Sequence, residues 1–432
     1  SARTVSRQEL WSFGLRHGIQ ESKIMASETV LLEGHIIDSL TLSKVLDIIQ
    51  REGAAYRIAD FSVGETRADV SRTHICVTAP DAAELERILR QIQQHGATRA
   101  EGRVRTKPAP MDGVFPDGFY VTTNLATSVR VAGAWMPVEP IEMDCGIVVR
   151  GSDGGACANC LPMHHVRAGD QVVVGSEGVR VTPFDRPQES GVFQFMGGSV
   201  STERPKELIV AAIAQEIVKA RARGEKIVFV GGPAIVHTGA GHHLEAIIRA
   251  GWIDALFAGN ALATHDIEQA LLGTSLGVQI ATGAQAVHGH ENHLRAINAI
   301  RRVGGIRPAV ESGLLKSGIM HACISRSVPY VLAGSIRDDG PLPDVITDSV
   351  EAQDAMRALV RGAGVVLMVA TTLHAVATGN LLPATVQTIC VDADAATVIK
   401  LMDRGTHQAF GLVTDCEFLL KELRARLAEQ SQ

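Results

Sequence analysis

Residues Ile227–Gly251 read IVFVGGPAIVHTGAGHHLEAIIRAG. Ile227–Val230 is an unbroken apolar run, the pattern of a parallel strand buried on both faces. Gly231 and Gly232 end it, and the chain resumes as a helix whose free N–H groups suit an anion. This is the outline of a nucleotide-binding unit. Yet Gly231, Gly232, Gly239 and Gly241 do not make G-x-G-x-x-G, and no acid follows at the ribose position. Taken alone, the turn reads equally as a tight strand–helix connection.

The same rhythm continues outward. From about Glu203 short apolar runs alternate with amphipathic helices. Strands are expected at Ile227–Val230, Ile253–Ala258, Tyr330–Leu332, Val365–Ala370, Val386–Val391 and Ala409–Thr414. Such alternation predicts a Rossmann-like, doubly wound parallel sheet over 201–432. Ligands of such sheets sit beyond the carboxyl ends of the strands, where strand order switches. The strand exits therefore supply the candidates. AGNALATHDIE brings Asn260 and Ala261, with His265, Asp266 and Glu268 on the next turn. AGSIRDDGPLPD brings Arg337, Asp338 and Asp339. Thr371, Thr372 and His374 follow the next strand. Asp392 ends another, where an acid suits a ribose or an adenine edge. Asp415 and Cys416 follow the last.

Upstream the texture differs. Residues 1–26 form a polar, irregular arm. Over 27–112 two strand–helix units predict a ferredoxin-like α+β sandwich, with a helix over Leu40–Glu52 capped by Asp38 or Ser39 and another from Asp81. Residues 113–200 carry short alternating runs bounded by Gly, Pro and Asp, a β-rich middle domain. The expected fold class is thus α/β, with these two regions preceding the nucleotide-binding sheet.

Composition excludes several functions. The net charge of -6 gives no electrostatic basis for binding nucleic acid. No apolar run is long enough for a membrane span, and the basic start lacks the apolar core of a secretory signal. Seven cysteines at irregular positions favour reduced thiols and a cytoplasmic location. CANCLPMHH offers Cys157, Cys160, His164 and His165, but there is no second C-x-x-C, the segment reads as a surface loop, and no metal is expected there. HGHENH (His288, His290, His293) reads as a solvated helix start.

Longer runs are more specific. FSVGETRADVSRTHICV, FMGGSVSTERP, GPAIVHTG, NHLRAINAIRR, VESGLLKSGIMHACI, VLAGSIRDDGPLPDVITD, TTLHAVATGNLLP and VIKLMDRGTHQAFGLVTD span nearly the whole chain from about Ser27. They resemble the NAD-dependent ornithine cyclodeaminases of archaea and the C-terminal part of the cyanobacterial arginine dihydrolase/ornithine cyclodeaminases, which carry a LOR/SDH conserved region. The resemblance implies tightly held NAD on the C-terminal sheet. It carries over Asn260, Ala261, Asp339, Thr371, Thr372, Leu373, His374, Asp392, Asp415 and Cys416 as cofactor-binding positions. It implies conversion of ornithine to proline and ammonia, with a hydride removed and returned within one turnover. The substrate carboxylate would be held by Arg130, Lys316 or Arg337, and the base would be Glu311, His374, Asp338 or His265. Asp338, Glu311, His374 and Lys316 are the positions favoured for catalysis; Asp144 and Cys145 are placed to reach substrate from the middle domain. A basic amino acid is the expected partner molecule and a homo-oligomer the expected assembly. A dehydrogenase or lyase of a related amino acid, or a non-catalytic NAD-sensing subunit, would fit the same sheet.

Overall fold

The computed structural model describes residues 25–37, 40–65, 69–99, 102–152, 155–182, 206–276, 278–279, 291–338, 340–403 and 409–430. They fall into two compact units, residues 1–102 and 103–432.

The first unit runs β1 (Ala26–Gly34), α1 (Thr41–Arg51), β2 (Ala55–Ser62), β3 (Ser71–Ala79), α2 (Ala82–Gln93) and β4 (Thr98–Arg99). The strand order β2-β3-β1-β4, antiparallel throughout, is the ferredoxin-like arrangement. Alternate residues of β3 (Thr73, Ile75, Val77) face inward, and both helices lay an apolar face on them through Val45, Ile49, Leu85, Ile88 and Ile92. Asp81 caps α2 by accepting the Glu84 N–H at 2.8 Å. The other expected caps, Asp38 and Ser39, lie outside the described residues.

The second unit opens with seven short strands: β5 (Arg105–Pro108), β6 (Thr127–Val131), β7 (Ala134–Pro137), β8 (Gly146–Ser152), β9 (Gly155–Leu161), β10 (Gln171–Val174) and β11 (Val179–Val181). They form antiparallel sheets of order β5-β10-β8-β9 and β11-β6-β7. Val129, Ile147, Val173 and Val179 meet between them.

Next come α3 (Lys206–Ala222), β12 (Lys226–Gly231), α4 (Ala234–His237), α5 (Gly241–Arg249), β13 (Ala255–Gly259), α6 (Asn260–Leu272), the short pair β14 (Thr274–Ser275) and β15 (Val278–Gln279), and α7 (Asn292–Val303). Then follow α8 (Ile306–Glu311), α9 (Ile319–Ser325), β16 (Tyr330–Ala333), β17 (Val345–Ile346), α10 (Ser349–Val360), β18 (Ala363–Val369), α11 (Leu373–Leu381), β19 (Gln387–Asp392), α12 (Ala395–Asp403), β20 (Ala409–Val413) and α13 (Cys416–Glu429). The seven long-sheet strands are all parallel, in the order β17-β16-β13-β12-β18-β19-β20. The unbroken apolar run of β12 now has its reason. Ile227 and Phe229 enter the core beneath α3, α5 and α13, while Val228 and Val230 enter the opposite one beneath α10 and α11. The chain leaves β12 towards β13, β16 and β17, then returns to β18 on the other side. The switch in strand order lies between the ends of β12 and β18. No helix among the described residues is long and apolar enough to cross a membrane.

Candidate functional site at the carboxyl edge of the parallel sheet

At the switch point the backbones touch. The Gly232 N–H donates to the Val369 carbonyl at 3.0 Å, and a Cβ on Gly232 would lie 1.7 Å from the Ala370 carbonyl oxygen. Glycine is therefore required there by the neighbouring strand's exit. Ala370 itself has φ of 53°, a left-handed turn that an alanine adopts at a cost.

Three strand exits then converge. A Cβ on Gly259, the last residue of β13, would lie 2.9 Å from Cε1 of His374. So the first turn of α11 carries its imidazole across β12 and over the end of β13. Thr371 Oγ1 lies 3.3 Å from His374 Nδ1. Burial holds the His374 imidazole below its usual pKa, with the nearby Asp338 carboxylate opposing. Asp338 comes from the β16–β17 loop, where it accepts the Ser335 N–H at 2.9 Å. Asn260 secures that loop: its buried Oδ1 accepts the Leu342 N–H at 3.0 Å and the Thr264 hydroxyl at 3.2 Å. Among the described residues no side chain caps α6 or α11, which leaves their first N–H groups without a side-chain acceptor there.

The other expected positions are distributed more widely. Ala261 and Thr372 are half-buried and Leu373 is exposed, all at the starts of these helices. Asp392 ends β19; its Oδ1 accepts the Asp394 N–H at 2.9 Å and its second oxygen has no partner among the described residues. Asp415 caps α13 by accepting the Phe418 N–H at 2.9 Å. Buried Cys416 sits with Sγ 3.2 Å from Thr238 Oγ1, tying α13 to the loop after α4. Asp339 lies outside the described residues. Glu311 and Lys316 flank the α8–α9 connection, exposed and without a side-chain hydrogen bond or ion pair among the described residues. Arg337 is exposed, and among the described residues Arg130 on β6 reaches the Gly133 carbonyl at 3.5 Å. Asp144 and Cys145 are placed beside the far end of α11, where the Met143 N–H donates to the Asn380 carbonyl at 3.0 Å.

Two groups take parts that the sequence does not disclose. Asp266 accepts the Ile319 and Met320 N–H groups at 2.8 and 2.9 Å, so it caps α9; burial lifts its pKa to about 7. Residues 157–160 are strand, not loop. Cys157 and Cys160, three apart on β9, take opposite faces, one exposed and one buried. Cys160 packs against Thr122 and the Glu142 carbonyl, with Cys145 beside it. His164 and His165 instead meet Asp354 of α10 at 3.0 and 2.9 Å, and Arg357 shares that carboxylate. His288 and His290 lie outside the described residues.

The comparisons with known proteins cover the same ground. Residues 211–423 match a family described as arginine dihydrolase ArgZ-like, C-terminal, Rossmann fold; 126–210 match its C-terminal first region; and 27–125 match the LOR/SDH bifunctional enzyme conserved region. An ornithine cyclodeaminase of Methanopyrus kandleri is 53% identical over 398 residues, covering 92% of this chain and 96% of that protein. The chain belongs to the ornithine cyclodeaminase family. Two cyanobacterial crystal structures share the architecture of this ornithine cyclodeaminase family member. Apo ArgZ matches 94% of this chain at 37% identity and a TM-score of 0.82. The ternary complex of AgrE with ornithine and NAD+ matches 94% at 39% identity and a TM-score of 0.51. The chain spans 59% and 58% of those longer proteins.

Proposed function

We propose that this chain is an NAD-dependent ornithine cyclodeaminase that converts ornithine to proline and ammonia. The observation that carries the reading is the convergence of Asn260, Asp338, Thr371 and His374 at the switch point of a chain that matches 96% of an ornithine cyclodeaminase's length. The residues present fit a dinucleotide. The N-termini of α6 and α11, uncapped by side chains among the described residues, would offer N–H groups to a pyrophosphate, and the Asp392 oxygen without a described partner would accept from a ribose hydroxyl. Bound there, NAD supplies an acceptor and then a donor of hydride within one turnover.

The protein's own part is to hold and orient. Thr371, Thr372 and Leu373, at the start of α11, would hold the cofactor. Asn260 fixes the β16–β17 loop, and so sets the distance of Asp338 from His374. Burial lowers the His374 pKa and so disfavours an imidazolium that would repel a cationic diamino acid. Asp338 supplies the matching negative charge.

Ornithine deuterated at the α-carbon tests the reading. The expected product is proline that keeps the deuterium, with no net change in NADH absorbance. Loss of the label to solvent overturns hydride return; accumulation of NADH points to a dehydrogenase instead.

A further inference from the structure

Beside the switch-point crevice the described residues hold a second polar group, which no part of the preceding mechanism uses. α6 carries His265 and Glu268 on one face, three residues apart. Glu268 is fully buried and His265 nearly so. Oε2 of Glu268 lies 2.8 Å from His265 Nδ1, while Oε1 accepts the Thr274 hydroxyl at 2.8 Å. Thr274 in turn accepts from Asn292 Nδ2 at 2.9 Å. A buried carboxylate with this much support is costly to assemble and serves to orient its partner. Glu268 fixes the Nδ1–H tautomer of His265, which leaves Nε2 as the lone-pair nitrogen. No described residue hydrogen-bonds that Nε2.

Position ties the pair to the crevice. α4 follows β12 directly, so His237 sits just beyond Gly232 at the same sheet edge. Its ring meets that of His265 edge-on, with centroids 4.6 Å apart, and its Nδ1 lies 2.7 Å from Ser275 Oγ. His265 also starts one turn beyond Asn260, whose side chain is bonded to the neighbouring Thr264. Burial pushes the His237 pKa down to about 4, so the residue beside His265 carries no charge at neutral pH.

We propose that the His265–Glu268 pair, covered by His237, is the proton-handling site of the reaction. His265 is the base that takes a proton from an ammonium group of the basic amino acid, and Glu268 is its positioning residue. The step rests on the cyclodeaminase reading and balances without a further reagent. One N–H bond breaks with its electron pair left on nitrogen, and the proton passes to Nε2 of His265. When the carbon–nitrogen bond to the departing amine breaks, that nitrogen keeps the bonding pair and collects the same proton. The buried carboxylate stabilises the imidazolium between the two events.

The test uses the full chain with NAD and ornithine, and three readouts: NAD binding by calorimetry, kcat and KM. Wild type is assayed first; no proline from it overturns the cyclodeaminase reading and this proposal together. With wild type active, His265→Gln should keep NAD affinity and lose about a hundredfold or more in kcat. Activity within about threefold of wild type overturns the base alone and leaves the cyclodeaminase reading standing. Should His265→Gln fail to bind NAD, Glu268→Gln decides: kcat is expected to fall about tenfold or more with KM within about twofold. An unchanged kcat in that variant overturns the pair.

Discussion

Asp392 ends β19 with one carboxylate oxygen on the Asp394 N–H and the other without a described partner. A carboxylate there accepts ribose hydroxyls and repels a 2′-phosphate. Asp392→Asn should weaken NAD binding by ~1.5–3 kcal/mol, roughly tenfold or more, and narrow the preference over NADP. Titration of both cofactors checks this; an unchanged NAD affinity removes Asp392 from the site. His237 makes a separate prediction about pH. Its folded pKa is about 4 against an ordinary 6.5, so the unfolded chain takes up the proton first. Its contribution to stability is full above pH 6.5 and is lost as pH falls towards 4. His237→Gln should therefore flatten part of the acid-side loss, read as the difference in urea midpoints between about pH 7 and about pH 5. An equal loss in both proteins contradicts it.

Several aspartates cap helices in this fold. Asp81, Asp348 and Asp415 each cap the helix that follows them, and such caps are legible because the aspartate directly precedes the helical pattern. Asp266 caps α9 from a different helix and from within the core, so no local pattern announces it. Its loss should cost more than the loss of an exposed cap. Asp266→Ala should destabilise by ~2–3 kcal/mol because two N–H donors are left buried, whereas Asp348→Ala should cost ~1 kcal/mol. Urea unfolding of the two variants ranks them, and a larger cost at Asp348 contradicts the assignment. The strand carrying Cys157 and Cys160 teaches the same lesson at element scale. Once those residues pair with β8, the two-residue period of the strand separates the thiols, whatever their spacing suggests in a loop.

Within the second unit, the β7–β8 connection is tied to α10 by a buried ion pair. Arg357 of α10 reaches both oxygens of Glu142 at 2.8 and 2.9 Å and shares Asp354 with His164 and His165. Glu142 is 3% exposed. Arg357→Met should cost ~3–5 kcal/mol by stranding that carboxylate, and adding Glu142→Gln should recover part of the loss. Urea midpoints of the single and double variants decide it; strictly additive losses contradict the coupling. The alternation of apolar runs and helices by itself determined the class of fold, because a strand buried on both faces must be apolar throughout. The ferredoxin-like unit followed from the same local periods, and the polar residues after each strand marked which sheet edge to search. The partners across that edge were decided only by tertiary structure. His374 lies over Gly259 because β12 separates their strands, and strand order is set by helix packing on two faces, which no local pattern encodes. The same holds for His265 and His237, whose rings meet only once α4 and α6 leave adjacent strands and pack together.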